Sequence, residues 1–270
     1  MKKILILIAI FTISHSNLIK AEENQVIDIN FKPLLANIYE SRIGVVFTNS
    51  DEKLRLDIGG SYDLFQKQYK ELYKWSIGVD FFTYTRLRSE GNMKFPVETT
   101  DFYFGINSSN ITKYENADLE SRVRVAHIST HLSDGYSKDD IFIKSPFVYS
   151  REFIDFTIAY RKKEFRPYLG ITAVFSYLPK DVNLIIPNVG IEYKKAISQR
   201  TEIQLAYDFK VNGYDRKFFG MNNIIGGILF KTAKNRGVLL KAEYYAGEDY
   251  YGQFYKSYAQ YFGIGFQIDY

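Results

Sequence analysis

The sequence predicts an all-β chain that closes into a transmembrane, antiparallel, up-and-down β-barrel of about 12 strands. Three observations support this fold class. Apolar and polar residues alternate in one segment after another, which is the period of a strand with two different faces. The chain contains 23 tyrosines and 22 phenylalanines, a density that suits strands and the aromatic girdles of membrane barrels. The chain also closes on one more alternating segment that ends in an aromatic residue.

That closing segment, 258–270, has the sequence YAQYFGIGFQIDY. Phe262, Ile264, Phe266 and Ile268 fall on one face, and small or polar residues fall on the other. The segment resembles the C-terminal signal that the outer-membrane barrel assembly machinery reads. This resemblance implies two partners, the assembly machinery and outer-membrane lipids. We therefore expect a charged residue in place of Tyr270, or its deletion, to reduce insertion.

The amino terminus predicts a secretory signal peptide over residues 1–21. Lys2 and Lys3 precede an apolar run from Ile4 to Ile13, and small or polar residues follow up to Ala21. Cleavage there removes three lysines and no acidic residue, so the net charge falls from +4 to +1. A nearly neutral mature chain gives no reason to expect a nucleic-acid partner. The chain has no cysteine, which excludes a lipid-anchored lipoprotein, disulfides and thiolate metal sites.

Residues 22–40 form a polar extension ahead of the predicted barrel, which covers 41–270. Pro33 argues against a central strand within this extension. We expect it to be a periplasmic lead-in or a small plug.

Twelve alternating segments follow, an even number as single-chain bacterial barrels usually have. The longer connections tend to follow odd-numbered strands and the shorter ones even-numbered strands, as expected if long loops lie outside the cell and short turns lie in the periplasm. Two predicted connections are exceptions, a long turn at 109–118 and a short loop near Ser50. We expect Leu54, Ile58, Phe81, Phe104, Ile203 and Phe266 to face lipid. The predicted strands are 41–49, 53–65, 74–86, 101–108, 119–132, 148–160, 167–177, 187–194, 201–210, 222–231, 238–246 and 258–270.

The inward positions of these strands carry charges of both signs. An open diffusion pore generally needs roughly 16 strands, so mixed charge inside a smaller barrel favours a narrow or filled lumen with internal ion pairs. The inward set is Arg55, Asp57, Asp80, Arg122, Arg124, Asp155, Glu192, Glu202, Asp208, Lys210, Lys241 and Glu243.

One stretch, 125–134, contains residue types that can act in catalysis or bind a metal ion. It contains His127 and His131, the two histidines that follow the signal peptide. Residues four apart on a strand are separated by about 13 Å, so these two side chains alone cannot hold one metal ion. Whether a metal binds in another way is left open. No cofactor is predicted, although a hydrolase at this stretch would need oxyanion donors, either a divalent cation or loop amides from 134–138.

The same stretch supports a nucleophilic interpretation. His127 and Ser129 share the outward face of the fifth predicted strand, and Glu152 has outward parity on the sixth. If the two strands pair with outward faces aligned, Glu152 lies across from His127 and Ser150 across from Ser129. A carboxylate that orients a histidine, which in turn activates a serine, is the logic of a catalytic triad. His131 and Asp134 are accessory candidates. The alternative is that all of these are ordinary polar residues at a membrane interface.

The His-x-Ser pattern of His127 and Ser129 resembles that of outer-membrane phospholipase A and of the lipid A 3-O-deacylase, which pairs it with a glutamate on a neighbouring strand, as Glu152 would be. Three further segments resemble an uncharacterised family of Gram-negative outer-membrane proteins, domain of unknown function 1207. They are 31–36 (FKPLLA), 127–132 (HISTHL, with Asp134 after it) and 252–255 (GQFY). The wider resemblance implies an exported barrel in the outer membrane of a Gram-negative cell and supplies no activity.

The sequence therefore predicts an outer-membrane barrel of unassigned role with a narrow or filled lumen. Two more specific functions remain open. One is a membrane-embedded serine esterase acting on phospholipid or lipid A, and the other is a narrow channel for small solutes. The oligomeric state is not predicted.

Overall fold

A computed structural model describes residues 29–50, 53–232 and 236–269. The predicted signal peptide, 1–21, and the terminal residue, Tyr270, lie outside the described residues. Within the described ranges, no helix is both long and apolar enough to cross a membrane.

Twelve long strands form one closed antiparallel barrel, which confirms the predicted fold class and strand number. Successive strands pair with each other, and the last barrel strand pairs with the first. Two very short strands, β6 and β7, form a separate hairpin within one connection. The strands are β1 Ile43–Thr48, β2 Lys53–Tyr69, β3 Tyr73–Arg88, β4 Val97–Tyr114, β5 Ala117–Leu132, β6 Ser137–Lys138, β7 Ile141–Phe142, β8 Tyr149–Arg161, β9 Phe165–Leu178, β10 Ile185–Ala196, β11 Thr201–Asn212, β12 Phe219–Lys231, β13 Gly237–Glu248 and β14 Tyr258–Asp269.

The connections alternate between the two ends of the barrel. We call the end that carries the connections after β1, β3, β5, β9, β11 and β13 the loop end, and the other end the turn end. The longest connection, 133–148, lies at the loop end between β5 and β8.

The predicted long turn at 109–118 is wrong. β4 continues to Tyr114 and β5 begins at Ala117, so only two residues connect them. The polar residues of this stretch stay in the ladder, where Asn110 donates a 2.7 Å hydrogen bond to Ser121. The alternation of apolar residues in β4 ends before its hydrogen-bonded pairing with β5 ends, because backbone pairing does not require apolar side chains. The sequence pattern therefore predicted too short a strand.

The outward face carries the expected large apolar side chains. Phe81 is 59% exposed and Ile58 is 53% exposed. Such exposure of apolar side chains is expected on a surface that lipid covers in the membrane. Leu54 is an exception, since it is only 7% exposed. It lies at the loop end, where it lines a cavity beside Tyr250 of the β13–β14 connection. The alternation along β2 could not reveal burial by residues that are distant in the sequence.

The inward face is charged and internally paired. Arg55 Nη1 lies 2.6 Å from Glu243 Oε1, Arg124 Nη2 lies 3.0 Å from Asp155 Oδ1, and Arg166 Nη1 lies 3.0 Å from Glu192 Oε2. All six side chains are almost fully buried. Charges removed from water in this way need partners, because the energetic cost of an unpaired buried charge is large.

Residues 29–42, which we call the strap, pack against these inward side chains. Glu40 receives hydrogen bonds from both Arg122 and Arg124. The Phe31 ring lies 4.4 Å from the guanidinium carbon of Arg122 and 4.6 Å from that of Arg166. The strap backbone is also bound to the wall, with Asn223 donating to the Ala36 carbonyl at 2.8 Å and Arg166 donating to the Lys32 carbonyl at 3.1 Å.

The connection between β13 and β14, residues 249–257, packs inward at the loop end. Its Gly252 amide donates a 2.9 Å hydrogen bond to Asp101, and its Gln253 side chain donates a 2.7 Å hydrogen bond to the Phe147 carbonyl. The guanidinium carbon of Arg86 lies 3.7 Å from the centre of the Phe254 ring. We call this segment the cap. The strap precedes β1 at the turn end and the cap follows β13 at the loop end, and the two segments meet inside the barrel, where Ile38 of the strap and Tyr250 of the cap belong to one buried cluster.

Candidate functional site

The wall formed by β5 and β8 carries the candidate site on its outer surface. The two strands pair in the register that sets His127 opposite Glu152 and Ser129 opposite Ser150. Along β5 the exposed and buried residues alternate, so His127, Ser129 and His131 face outward while Arg122 and Arg124 face inward. The site lies toward the loop end, because β5 ends at Leu132 and β8 begins at Tyr149.

His127 and Glu152 form a short hydrogen bond. The distance from His127 Nδ1 to Glu152 Oε1 is 2.7 Å, and the side chains are 25% and 33% exposed. An ionised carboxylate only accepts hydrogen bonds, so Nδ1 carries the donated proton. The lone pair of a neutral imidazole then lies on Nε2, which becomes the basic atom. Glu152 therefore fixes both the tautomer and the orientation of the ring.

Other side chains support this pair. The Phe104 ring on β4 lies 4.7 Å from the imidazole, centre to centre, and covers one face of it. Ser150 donates a 3.3 Å hydrogen bond to Glu152 Oε1. Ser176 lies opposite Glu152 on β9 and also interacts with its carboxylate.

The β8–β9 ladder shifts register between Glu152 and Phe153, which places a bulge beside the site. Bulges occur often next to functional sites because they re-aim a side chain. Sequence reasoning missed the bulge, Ser176 and the stacking role of Phe104. Parity could place Phe104 outward, but the ring contact depends on the β4–β5 register.

Ser129 lies two residues along the strand from His127, on the same face, with roughly 6–7 Å between the Cα atoms. Within the described ranges its hydroxyl makes no side-chain hydrogen bond, in contrast to Ser150, whose hydroxyl donates to Glu152. The Ser129 proton is thus not committed to a carboxylate, and its side chain is half-buried.

The two accessory candidates do not join this group. His131 is exposed and packs edge-to-face against Phe102, with ring centres 5.8 Å apart. Asp134 begins a short 3-10 turn and accepts a 2.9 Å hydrogen bond from the Gly135 amide. In the described part of the chain, neither residue bonds to His127, Ser129 or Glu152.

Two of the predicted loop-amide oxyanion donors are engaged elsewhere. The Gly135 amide is bound to Asp134, and the Tyr136 amide donates to the Ser133 carbonyl at 2.9 Å. Lys138 pairs with Ile141 in the small hairpin. The described residues contain no group of three or more His, Asp or Glu side chains placed to hold a metal ion.

Fold and site together define the class, a barrel of the outer-membrane type with a histidine–carboxylate pair on its outer wall. The chain belongs to the family described as a protein of unknown function, DUF1207, whose model matches residues 54–270. The resembling segment at 31–36 precedes the matched range. A sequence comparison with curated proteins finds no match.

Solved structures with a similar fold include outer-membrane phospholipase A from Escherichia coli, with 11% identity, a TM-score of 0.58, and coverage of 85% of this chain and 90% of that one. An active-site mutant of the same enzyme gives 11% identity, a TM-score of 0.62, and coverage of 92% and 95%. The Salmonella typhi phospholipase dimer with bound calcium gives 12% identity, a TM-score of 0.60, and coverage of 85% and 90%. At these identities the likeness shows the fold alone.

Proposed function

We propose that this chain is an outer-membrane protein whose activity is acyl-ester hydrolysis at the outer wall of the barrel. Ser129 is the nucleophile, His127 the general base and Glu152 the orienting carboxylate. The observation that carries the proposal is the 2.7 Å bond from His127 Nδ1 to Glu152 Oε1, with an uncommitted serine hydroxyl two residues along the same face. The substrate class is phospholipid or lipid A.

The outer-membrane location is supported by the outward apolar surface and by the phospholipase structures that share the fold. A filled lumen is supported by the strap and the cap, whose residues meet inside the barrel in one buried cluster. In this proposal the chemistry takes place on the outer wall. A substrate reaches it by diffusing laterally in the membrane.

The residues divide the chemistry between them. Ser129 Oγ attacks the ester carbonyl while His127 Nε2 takes the serine proton, and that proton then passes to the departing alcohol. Water activated by the same histidine releases the acyl chain and restores Ser129. Glu152 stabilises the imidazolium that forms in both steps, because its carboxylate already accepts the Nδ1 proton.

The test compares the purified chain with its Ser129→Ala variant in mixed micelles that contain phospholipid or lipid A. Ser150→Ala is the matched control, because Ser150 is a neighbouring serine bound to the same carboxylate. Loss of the nucleophile should lower turnover by about 10⁶-fold, whereas the control should retain most activity. Assays with calcium and with a chelator determine whether a divalent cation serves the oxyanion.

Two results would overturn the proposal. One is the absence of hydrolysis of either lipid by the folded wild-type chain under both cation conditions. The other is hydrolysis that the Ser129→Ala variant retains in full. Either outcome would make this group a structural feature of the membrane interface.

A further inference from the structure

The barrel interior contains a small cavity of about 30 Å³ next to the tip of the strap. Asn37 and Tyr39 of the strap form one side, and inward residues of β4, β5, β8, β9, β10 and β11 form the other. A cavity of this size holds a water-sized or halide-sized species. Its charged lining residues are three cations and a single carboxylate: Arg124, Arg151, Lys210 and Asp155.

The single carboxylate is already engaged. Asp155 accepts hydrogen bonds from Arg124 at 3.1 Å and from Thr172 at 3.0 Å. Arg124 is further paired with Glu40 of the strap. These contacts neutralise the charge of Arg124. The two other cations that line the cavity, Arg151 and Lys210, have no such direct partner.

Arg151 and Lys210 are 4% and 3% exposed, yet neither forms an ion pair within the described ranges. The Nε atom of Arg151 is buried and has no hydrogen-bond partner. Lys210 Nζ lies 5.6 Å from the centre of the Tyr39 ring, and the Tyr39 hydroxyl lies near Arg151. Two buried cationic donors therefore converge on one strap residue beside the same cavity.

Neighbouring carboxylates do not fill this role. Asp208, two residues before Lys210, accepts hydrogen bonds from Tyr168 at 2.8 Å and from Asn188 at 3.1 Å. Asp101 accepts one from the Gly252 amide at 2.9 Å. Asp101 and Glu248 lie near enough to influence Arg151, but neither pairs with it or lines the cavity. Asp155 and Asp208 lie near enough to influence Lys210, but within the described ranges neither forms an ion pair with it.

We propose that this cavity binds a small monovalent anion, with chloride as the abundant representative. The anion accepts hydrogen bonds from Arg151 Nε and Lys210 Nζ and supplies a counter-charge in direct contact with both. Burial of two unpaired cations is costly, and a resident anion removes that cost. Water could fill the volume, but it would not neutralise the charge. The site is independent of the chemistry at the outer wall.

Crystals of the full chain grown in bromide provide the direct test. We expect an anomalous bromide peak within hydrogen-bond distance of both Arg151 Nε and Lys210 Nζ. A solvent peak there without anomalous signal at high bromide would overturn the proposal. This measurement uses the wild-type chain and therefore does not depend on a variant that folds.

A second measurement tests the site in solution. Replacing gluconate with chloride at constant ionic strength should raise the Tm of the wild-type chain by several degrees, because the anion binds only the folded state. Lys210→Met should abolish the shift. Lys241→Met is the matched control, since Lys241 is an equally buried lysine that lies 3.3 Å from Glu243, and it should keep the shift. Equal chloride shifts in all three chains would contradict the proposal.

Discussion

At the scale of single residues, Glu152 is the most informative position on the outer wall. Its Oε1 atom accepts from both His127 and Ser150, so it fixes the imidazole in one tautomer. Without that carboxylate the ring would be free to place its proton on Nε2, the atom that must act as the base. The same side chain would then be present in a form that cannot accept the serine proton.

We therefore predict that Glu152→Gln lowers kcat by about 10⁴-fold while KM changes little, since the effect of an orienting carboxylate falls on the chemical step. Glu152→Asp should retain part of the activity, because it keeps the charge and loses only reach. Steady-state hydrolysis of the lipid that the wild-type chain accepts measures both. If the glutamine variant matched the wild-type kcat, Glu152 would have no role in orienting His127.

At the scale of elements, the strands separate an exposed, apolar outer face from a buried inner face that carries charged and aromatic side chains. β3 shows this separation in one dipeptide, where Phe81 is 59% exposed and Phe82 is 2% exposed. Phe82 stacks on Tyr103 inside the barrel, with ring centres 4.2 Å apart. Two phenylalanines that are adjacent in the sequence thus face lipid and the barrel interior, respectively, because successive residues of a strand point to opposite faces.

Phe81→Arg should lower the free energy of unfolding by about 2–4 kcal/mol, because an arginine near the bilayer midplane loses its hydration. Phe81→Leu is the control and should cost much less, since leucine remains apolar. Reversible urea unfolding in phospholipid vesicles gives both values. If the arginine variant were as stable as the leucine variant, the assignment of this face to lipid would fail.

Periodicity predicted most of the barrel but not its interior segments. The strand number, the outward face of His127 and the pairing of His127 with Glu152 follow from parity and from the hairpin order of β5 and β8. Periodicity did not predict three other features: the burial of Leu54, the short β4–β5 turn and the bulge at Glu152. Each of them depends on residues distant in the sequence or on backbone pairing that the pattern of apolar residues does not show. The strap contacts, such as Glu40 with Arg122, join residues far apart in the sequence.

The cap is also bound by the β9–β10 connection. Tyr255 donates a 2.9 Å hydrogen bond to Asp181 of the β9–β10 connection, and Lys256 forms an ion pair with the same carboxylate. Burial acts to raise the pKa of Asp181, but the hydrogen bonds from Lys256 and Tyr255 outweigh it and leave the pKa below its usual value. The stabilisation is therefore complete above the unfolded pKa, near ~4, and is lost as pH falls through the lower folded pKa.

We predict that amide exchange in the cap, corrected for intrinsic rates, accelerates below about pH 4 in the wild-type chain. In Asp181→Asn the exchange should already be faster at neutral pH, and its acceleration on acidification should be smaller. Hydrogen exchange measured by mass spectrometry on peptides that cover 249–257 provides the comparison. An acid response of the same size in both chains would assign it to other carboxylates.

At the scale of the whole molecule, the barrel is a wall around two inserted segments. The strap binds wall residues on several strands through Glu40, Phe31 and its own backbone. The cap binds β4 through Asp101 and the β5–β8 connection through Phe147. Because the two segments meet in one buried cluster inside the barrel, we expect both to obstruct any solute crossing it.

This arrangement predicts an order of conductance in planar bilayers. The wild-type chain should show no steady conductance, deletion of 29–40 should increase it, and the same deletion combined with a short glycine–serine linker in place of 250–256 should increase it further. Water that enters the emptied lumen solvates Arg122 and Arg124, so the loss of Glu40 need not prevent folding. Deletion of 22–28, which retains the strap, is the matched control, and heat-modifiable migration reports whether each variant is folded. Steady conductance of the wild-type chain, equal to that of the folded double variant, would show that strap and cap do not block the lumen and would favour the narrow channel instead.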